Sequence, residues 1–562
     1  MKKVVLIIAG LTIASTLYAT APMRPGSYPR TPRVSPLAQD TMNPLKLRFN
    51  YLYEFAQIAQ FCADWQLDDP DSADHGGMIE AESGELWNVI QTDNTLEAIW
   101  VWARYGELTG DTARFKENIE KAWFYCSNFP AWKEEGGSKD YYRAHNCAWG
   151  IAAEQRYRAV YEDESWAWYR DSCAEFIKTH PLGMYWDIDR FVKGWCAGWL
   201  YTYGVQMNDA EARDTACSFA ETLLGWIDDM TPQYALAQEK WAMSAGTVVW
   251  GLSNSAFQRD SLRGKEWIEA NGSYLDTFQV WRDVDYYSWD NSWNVGYANG
   301  HGAMYDISHD PTYARHHKWL THKLLSYDTD NDGGIMATTQ DADTTDMTWV
   351  SAYLCMMGLD RLIGEVYDYD AGALEIIGLH DGDQIEEGTR MDLVAVVSNY
   401  GREPLSGVEV TLTGDASGST TSDLGFLGMD TITLVSDWLV PDSAVLTLAL
   451  SHPEDERPAN DTLIVRLNKA AGIKEGSKKP STLHLEVACL SGPQCRISYG
   501  LPSQSPTSLE IFDVRGARVR QESLKKSNGE IFLDLGELPR GVYYAYLQVG
   551  KRCISKRFIL LD

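Results

Sequence analysis

What this 562-residue chain has little of narrows its reading first. Positive charge is scarce: 49 Lys and Arg stand against 79 Asp and Glu, a formal net charge of −30. That balance argues against a nucleic-acid partner, because phosphate binding needs a basic surface. The ten cysteines contain no CxxC pair, which removes the usual frame of a structural zinc site. Seven of them (62, 126, 147, 173, 196, 217 and 355) fall in helical patterns. They read as buried thiols, with room for one or two disulfides after export. Beyond residue 17 no stretch is long and apolar enough to span a bilayer, so the mature chain carries no transmembrane segment.

The N-terminus explains the one apolar run. Lys2-Lys3, then Val4 to Leu17, then Ala19-Thr20-Ala21 has the basic, apolar and small-residue parts of a signal peptide, residues 1–21. Residues 22–44, rich in Pro, Ser and Arg, read as a disordered leader. The length implies about three further domains. Aromatics are abundant, with 22 Trp and 30 Tyr; such numbers serve large cores and also line sugar-binding grooves.

Residues 45–366 repeat. Asp111, Asp163, Asp209, Asp260 and Asp310 each open a helical pattern, at spacings of 52, 46, 51 and 50 residues. Each can cap the free amides of a first turn. Between them the periodicity predicts helices over 45–66, 85–106, 111–129, 139–160, 163–179, 190–206, 209–229, 238–257, 260–281, 288–307, 310–327 and 344–364. Twelve helices in six hairpins predict an (α/α)6 toroid. The even members (WCAGWLYTYG, WAMSAGTVVWGLS, WNVGYANGHGAMY) are apolar or small nearly all round, as inner helices must be. The odd members are amphipathic. The outer-to-inner connections are long, aromatic and acidic, and a toroid gathers them at one end, where the inner helices begin.

That mouth is where chemistry is expected. Asp93, His145, Asp290 and Asp346 are the candidate catalytic residues. Tyr142, Arg143, Asn146, Trp241, Trp289, Trp293 and Trp349 are candidate substrate contacts. Two carboxyls across a pocket suit glycoside hydrolysis. Tyr142, His145, Asn146 and Trp149 share one helix face, and a His or Tyr base beside Arg143 suits β-elimination on an acidic polysaccharide. The alternative to catalysis is that the Asp residues cap helices and His145 is a core histidine. His301 reads as structural.

A third signal is the loop from Asp328. Six aspartates lie between 328 and 347, and Asp328, Asp330, Asp332 and Gly333 match the first half of a calcium loop. Position twelve is Thr339, not Glu, which rejects an EF-hand. A Ca2+ site of another type is the expectation. The Asp68–Trp87 stretch carries a similar Asp-x-Gly-Gly element, and the two are expected to meet where the ring closes. Six hairpins with such a mouth resemble the (α/α)6 toroids of carbohydrate-active enzymes, at the level of fold only.

After Glu365 the period changes to alternation. Residues 372–469 predict an immunoglobulin-like sandwich, and VVSNYGREPLSGVEVTL (396–412) with ERPANDTLIV (456–465) resembles the CARDB type of domain. Residues 470–482 form a linker. Residues 483–562 are a second β domain. Asp513, Gly516, Leu538, Gly541, Tyr543 and Lys556-Arg557 there resemble the C-terminal sorting domain of type IX secretion cargo. That resemblance implies export through the periplasm and outer membrane, with the secretion machinery as a partner. The sequence therefore reads as a secreted or cell-surface protein that degrades a polysaccharide, as hydrolase or lyase. The competing class is a non-catalytic glycan-binding or adhesion protein.

Overall fold

The computed structural model describes residues 43–560, apart from 83–89, 134–139, 181, 184–186, 229–238, 276–289, 329–330, 338–345, 386, 470–483, 490–493, 501–506, 514–517, 525–527, 536–537, 539–540 and 550–551. The expected signal segment, residues 22–42 and the expected linker lie outside the described residues.

The helices are α1 (Tyr51–Asp64), α2 (Thr92–Thr109), α3 (Lys116–Asn128), α4 (Asp140–Tyr161), α5 (Ala167–Thr179), α6 (Asp187–Gln206), α7 (Ala210–Asp228), α8 (Glu239–Ser253), α9 (Ser261–Asn271), α10 (Asp290–Ser308) and α11 (Pro311–Leu325). The twelfth, α12, runs over 348–363 with a π-helical turn at Leu354–Leu359. The even helices pack in succession from α2 to α12, and α12 returns to α2, which closes an inner ring. The toroid is formed. Burial follows the predicted division. Thr92 to Ala103 of α2 is buried on every side, whereas α3 buries one stripe, Asn118, Ile119, Ala122, Trp123, Tyr125 and Cys126. Each large apolar side chain so buried contributes roughly 1.5–3 kcal/mol.

Small residues set the inner spacing. A methyl on Gly246 would overlap the Gly296 carbonyl, and one on Gly251 the Gly194 carbonyl. The five repeat aspartates all accept main-chain N–H groups, from Arg114, Ser165, Ala212, Arg263 and Thr312 at 2.8–3.1 Å. Ahead of α3 and α5 that capped turn stands a few residues before the regular helix. The seven cysteines of the helical part are buried, and none is in a disulfide among the described residues.

Residues through Ala470 cluster as one compact unit and Ala471–Asp562 as a second. Within the first unit a sandwich follows the toroid. Its sheets are β4-β10-β9-β6-β7 and β3-β5-β8, built from β3 (Ala371–Ile376), β4 (Gln384–Ile385), β5 (Arg390–Asn399), β6 (Leu405–Gly414), β7 (Gly418–Leu424), β8 (Met429–Leu439), β9 (Ala444–Ser451) and β10 (Thr462–Lys469). Alternate residues such as Val408, Val410 and Leu412 point into its core. It docks where the inner helices end. Arg402 Nε donates to the Leu108 carbonyl at 3.0 Å, and buried Asn50 donates to Ser398 Oγ and the Asn399 carbonyl, both at 2.8 Å. The second unit has a three-stranded sheet, His484–Cys489, Gln494–Gly500 and Asn528–Asp534. Its four-stranded sheet has the order Arg518–Leu524, Thr507–Asp513, Gly541–Val549 and Arg552–Leu560.

Candidate active site at the mouth of the helical ring

The first and last long connections meet where the ring closes. Ala81 bridges Met347, the Glu82 amide donates to the Asp346 carbonyl at 2.9 Å, and the Thr348 amide donates to the Glu80 carbonyl at 3.0 Å. The expected seam is therefore present, but the two Gly-Gly elements do not form it. Gly76, at φ +88°, lies against the Lys121 carbonyl, and Gly333, at φ +94°, lies against the main chain of Gln57. Each holds its own loop to a neighbouring helix at a distance that no Cβ permits. Nor is the Asp328 loop a solvated acidic turn, since Asp328 and Asn331 are buried.

Inside the seam three carboxyl groups converge. Glu80 follows strand β1 (Met78–Ile79), whereas Asp93 and Glu97 lie one helical turn apart on α2. All three are at least nine-tenths buried, Glu97 at 1% exposure, and among the described residues neither Glu97 oxygen has a hydrogen-bond partner. Burial, and then the neighbouring Asp93, push the Glu80 carboxyl up to about 8. Burial, then Asp93 and Glu80, hold Glu97 well above the carboxylate range. Asp93 is fixed differently: its Oδ1 accepts the Asn94 amide at 2.9 Å, and its Oδ2 lies 3.6 Å from His145 Nδ1. His145 Nε2 is 3.1 Å from the Tyr353 hydroxyl. Burial, then Glu97 and Asp93, keep that phenol protonated far above its ordinary range.

An aromatic wall continues from this group. Trp149 stacks on Tyr353 with ring centres 5.4 Å apart, Trp349 meets Tyr353 edge-on at 5.4 Å, and Phe191 lies between His145 and Trp293 at 5.7 Å from each. Trp293 and Trp349 are half-buried. Trp195 is fully buried in the inner ring between Trp149 and Trp250.

The structure thus brings Asp93 and His145 together. Asp346 is fully buried beneath the seam, and its carboxylate occupies the space that the missing Gly334 side chain leaves. Asn146 is buried, Arg143 is half-buried and Tyr142 is exposed. The side chains of Asp290 and Trp241, and Trp289 and Asp330 altogether, lie outside the described residues. Sequence reasoning missed Glu80 and Glu97. Glu97 was within reach, because an acid one turn from Asp93 on an all-round buried helix must be neutralised or used. Glu80 had no such signal.

One of the expected metal ligands, Asp332, meets acids from outside its own loop. Among the described residues, the acidic group whose oxygens lie within 4.8 Å of one another is Glu82, Asp332 and Asp346. Asp332 belongs to this group, while Asp328 is buried elsewhere in the same loop. Three carboxylates suit a hard, oxygen-seeking cation such as Ca2+.

A helical ring with a buried carboxyl cluster at its mouth, followed by two β regions, is the class of protein that fold and site define. Residues 493–561 match the family model of the secretion system C-terminal sorting domain, which marks the chain for export to the cell surface or beyond. Among the described residues no helix is long and apolar enough to cross a membrane. No functionally curated protein matches the chain in sequence. Among solved structures it is similar to the α-1,6-mannanase GH76A of Salegentibacter sp. HEL1_6, at 13% identity over 56% of this chain and 99% of that one, with a TM-score of 0.37. A GH127 β-arabinofuranosidase matches at 10% identity over 91% and 99%, with a TM-score of 0.35. The GH127 β-L-arabinofuranosidase Ara127N-Se of Geobacillus stearothermophilus T6 matches at 9% over 91% and 96%, with a TM-score of 0.33. At these scores the likenesses say nothing of residue roles or substrate.

Proposed function

We propose that the chain is a secreted glycoside hydrolase whose reaction takes place at the ring mouth. Glu80 acts as the general acid and Asp93 as the partner carboxylate, serving as base or nucleophile. The observation that carries this reading is the unequal treatment of neighbouring carboxyls. Glu80 keeps its proton to about pH 8, as an acid that protonates a leaving oxygen must. Asp93 is held by an amide N–H and by His145. In the mechanism Glu80 gives its proton to the glycosidic oxygen as the C–O bond breaks. Asp93 then receives the anomeric centre or deprotonates the attacking water. His145 and Tyr353 orient Asp93, and the half-buried Trp293 and Trp349 supply stacking faces for sugar rings. Glu97 is a positioning residue that keeps the Glu80 proton in place. The cluster disfavours β-elimination, because a uronate would meet more carboxyl groups, and Tyr353 is poorly disposed to lose its proton.

A divalent cation at Glu82, Asp332 and Asp346 would pin the seam that presents Glu80. The CARDB-like sandwich serves as an accessory module. The test is to incubate the chain with a panel of neutral and acidic polysaccharides, following reducing ends and unsaturated uronates. Reducing ends from a neutral glycan, lost in Glu80→Gln, are expected. Unsaturated products would establish a lyase instead, and retained binding without any product would establish a binding protein.

A further inference from the structure

A cavity lies between the toroid and the sandwich, and its lining includes none of Glu80, Asp93 and Glu97. Its volume is about 270 Å3, close to the lower end of small-ligand sites. Three cationic side chains from three separate segments line it: Arg48 before α1, Lys318 on α11, and Arg457 in the loop before β10. Phe49, Tyr51 and Tyr400 supply aromatic walls.

The charges there are poorly compensated. Arg48 donates to the carbonyls of Ala373 and Thr462, at 3.1 and 3.3 Å, and not to an acid. Lys318, exposed on the rim, has its pKa lowered by burial of its stem and then by Arg48 itself. Arg457 lies 3.7 Å from Asp370. One carboxylate lines the cavity, Glu365, and it accepts a hydrogen bond from Tyr367. His322, whose Nε2 lies 2.7 Å from the Tyr51 hydroxyl, is neutral, because burial depresses its pKa to about 3. In a chain of net charge −30, three converging cations against two acids, Glu365 on the lining and Asp370 behind Arg457, leave a local positive excess. Cations so gathered repel one another until an anion joins them.

We propose that this cavity is an anionic-sugar subsite, which holds one carboxylate- or sulfate-bearing sugar unit with its charge against Lys318, Arg48 and Arg457 and its ring against the tyrosines. The anion follows from the cations alone; the sugar body rests on the hydrolase reading. The subsite would tether acidic branches of a glycan whose neutral backbone is cut at the mouth. It would also clamp the sandwich to the toroid, since its lining belongs to both.

The test uses the full chain in calorimetric titration with four probes: a glucuronate-containing disaccharide, a sulfated disaccharide, a matched neutral disaccharide and inorganic sulfate. Binding of at least one acidic disaccharide is expected, weakened by added salt and weakened tenfold or more in Lys318→Glu, whose exposed position leaves the fold intact by thermal melting. The surface control Lys265→Glu should bind normally. Glu80→Gln should also bind normally, which separates failure of this subsite from failure of the mouth chemistry. Uronate and sulfate arms show which charged group the site takes. The proposal is overturned if neither acidic disaccharide binds, if the neutral one binds as well, if Lys318→Glu binds undiminished, or if inorganic sulfate alone binds.

Discussion

The helical domain treats its two charged regions in opposite ways. At the seam, Glu80, Asp93 and Glu97 are buried beside one another, and burial with the neighbouring carboxyls raises the pKa of Glu80 and Glu97. At the junction with the sandwich, Arg48, Lys318 and Arg457 surround a cavity, and the two arginines have no comparable escape, because a guanidinium does not deprotonate near neutral pH. The difference teaches that burial of like charge has two outcomes. Carboxyls can keep protons and so, in the proposed function, serve as acids. Arginines stay charged and so, in the proposed subsite, attract an anion.

The largest effect should divide the two regions by activity. Glu80→Gln should lower glycan hydrolysis by about 10²–10⁴-fold, while Lys318→Glu leaves the turnover of a neutral glycan at the wild-type level. Equal losses in both would dissolve the distinction. The second effect concerns pH. Below the unfolded carboxyl value of 4.5 the Glu80 contribution to stability is fully present. Between 4.5 and about 8 only the folded chain still holds that proton, so stability falls as pH rises, and the loss is complete above about 8. Melting of Glu80→Gln should accordingly decline less than wild type across that window, by on the order of a few kcal/mol. Parallel profiles would remove the raised acid. The smallest effect tests the junction. Asn50→Ala removes a cap to the Tyr53 amide and both bonds to the sandwich. It should cost about 1–3 kcal/mol and separate the unfolding of sandwich and toroid in calorimetry. A single transition at the wild-type temperature would show that Asn50 does not couple them.

Much of the ring was legible in the sequence. The Asp-opened repeats are local signals, since a cap needs only the next three residues, and all five aspartates do accept an amide. The inner helices were legible because a helix buried on all sides cannot afford a polar face. Their glycines were readable for the same reason. The site was legible only in part. Asp93 and His145 stood out because each lies near the start of an inner helix, and the structure sets them side by side. Glu80 did not stand out, because it sits in a connection with no periodicity and its pKa depends on residues on α2. The metal expectation rested on one loop, because D-x-D-x-D spacing is local, whereas in the structure Asp332 also groups with Glu82 and Asp346 across the seam.

By itself the sequence determined the elements and their order: twelve helices, the change to alternating strands, and a sorting tail whose matching residues lie within one short domain. These follow from interactions over a few residues, which periodicity and capping report directly. Only the tertiary structure decided which charges meet. Residue 80 comes beside 93 and 97, and residue 48 beside 318 and 457, because ring closure and sandwich docking bring separated segments together. Electrostatic energy depends on those distances and on burial, and neither is written in the order of the residues.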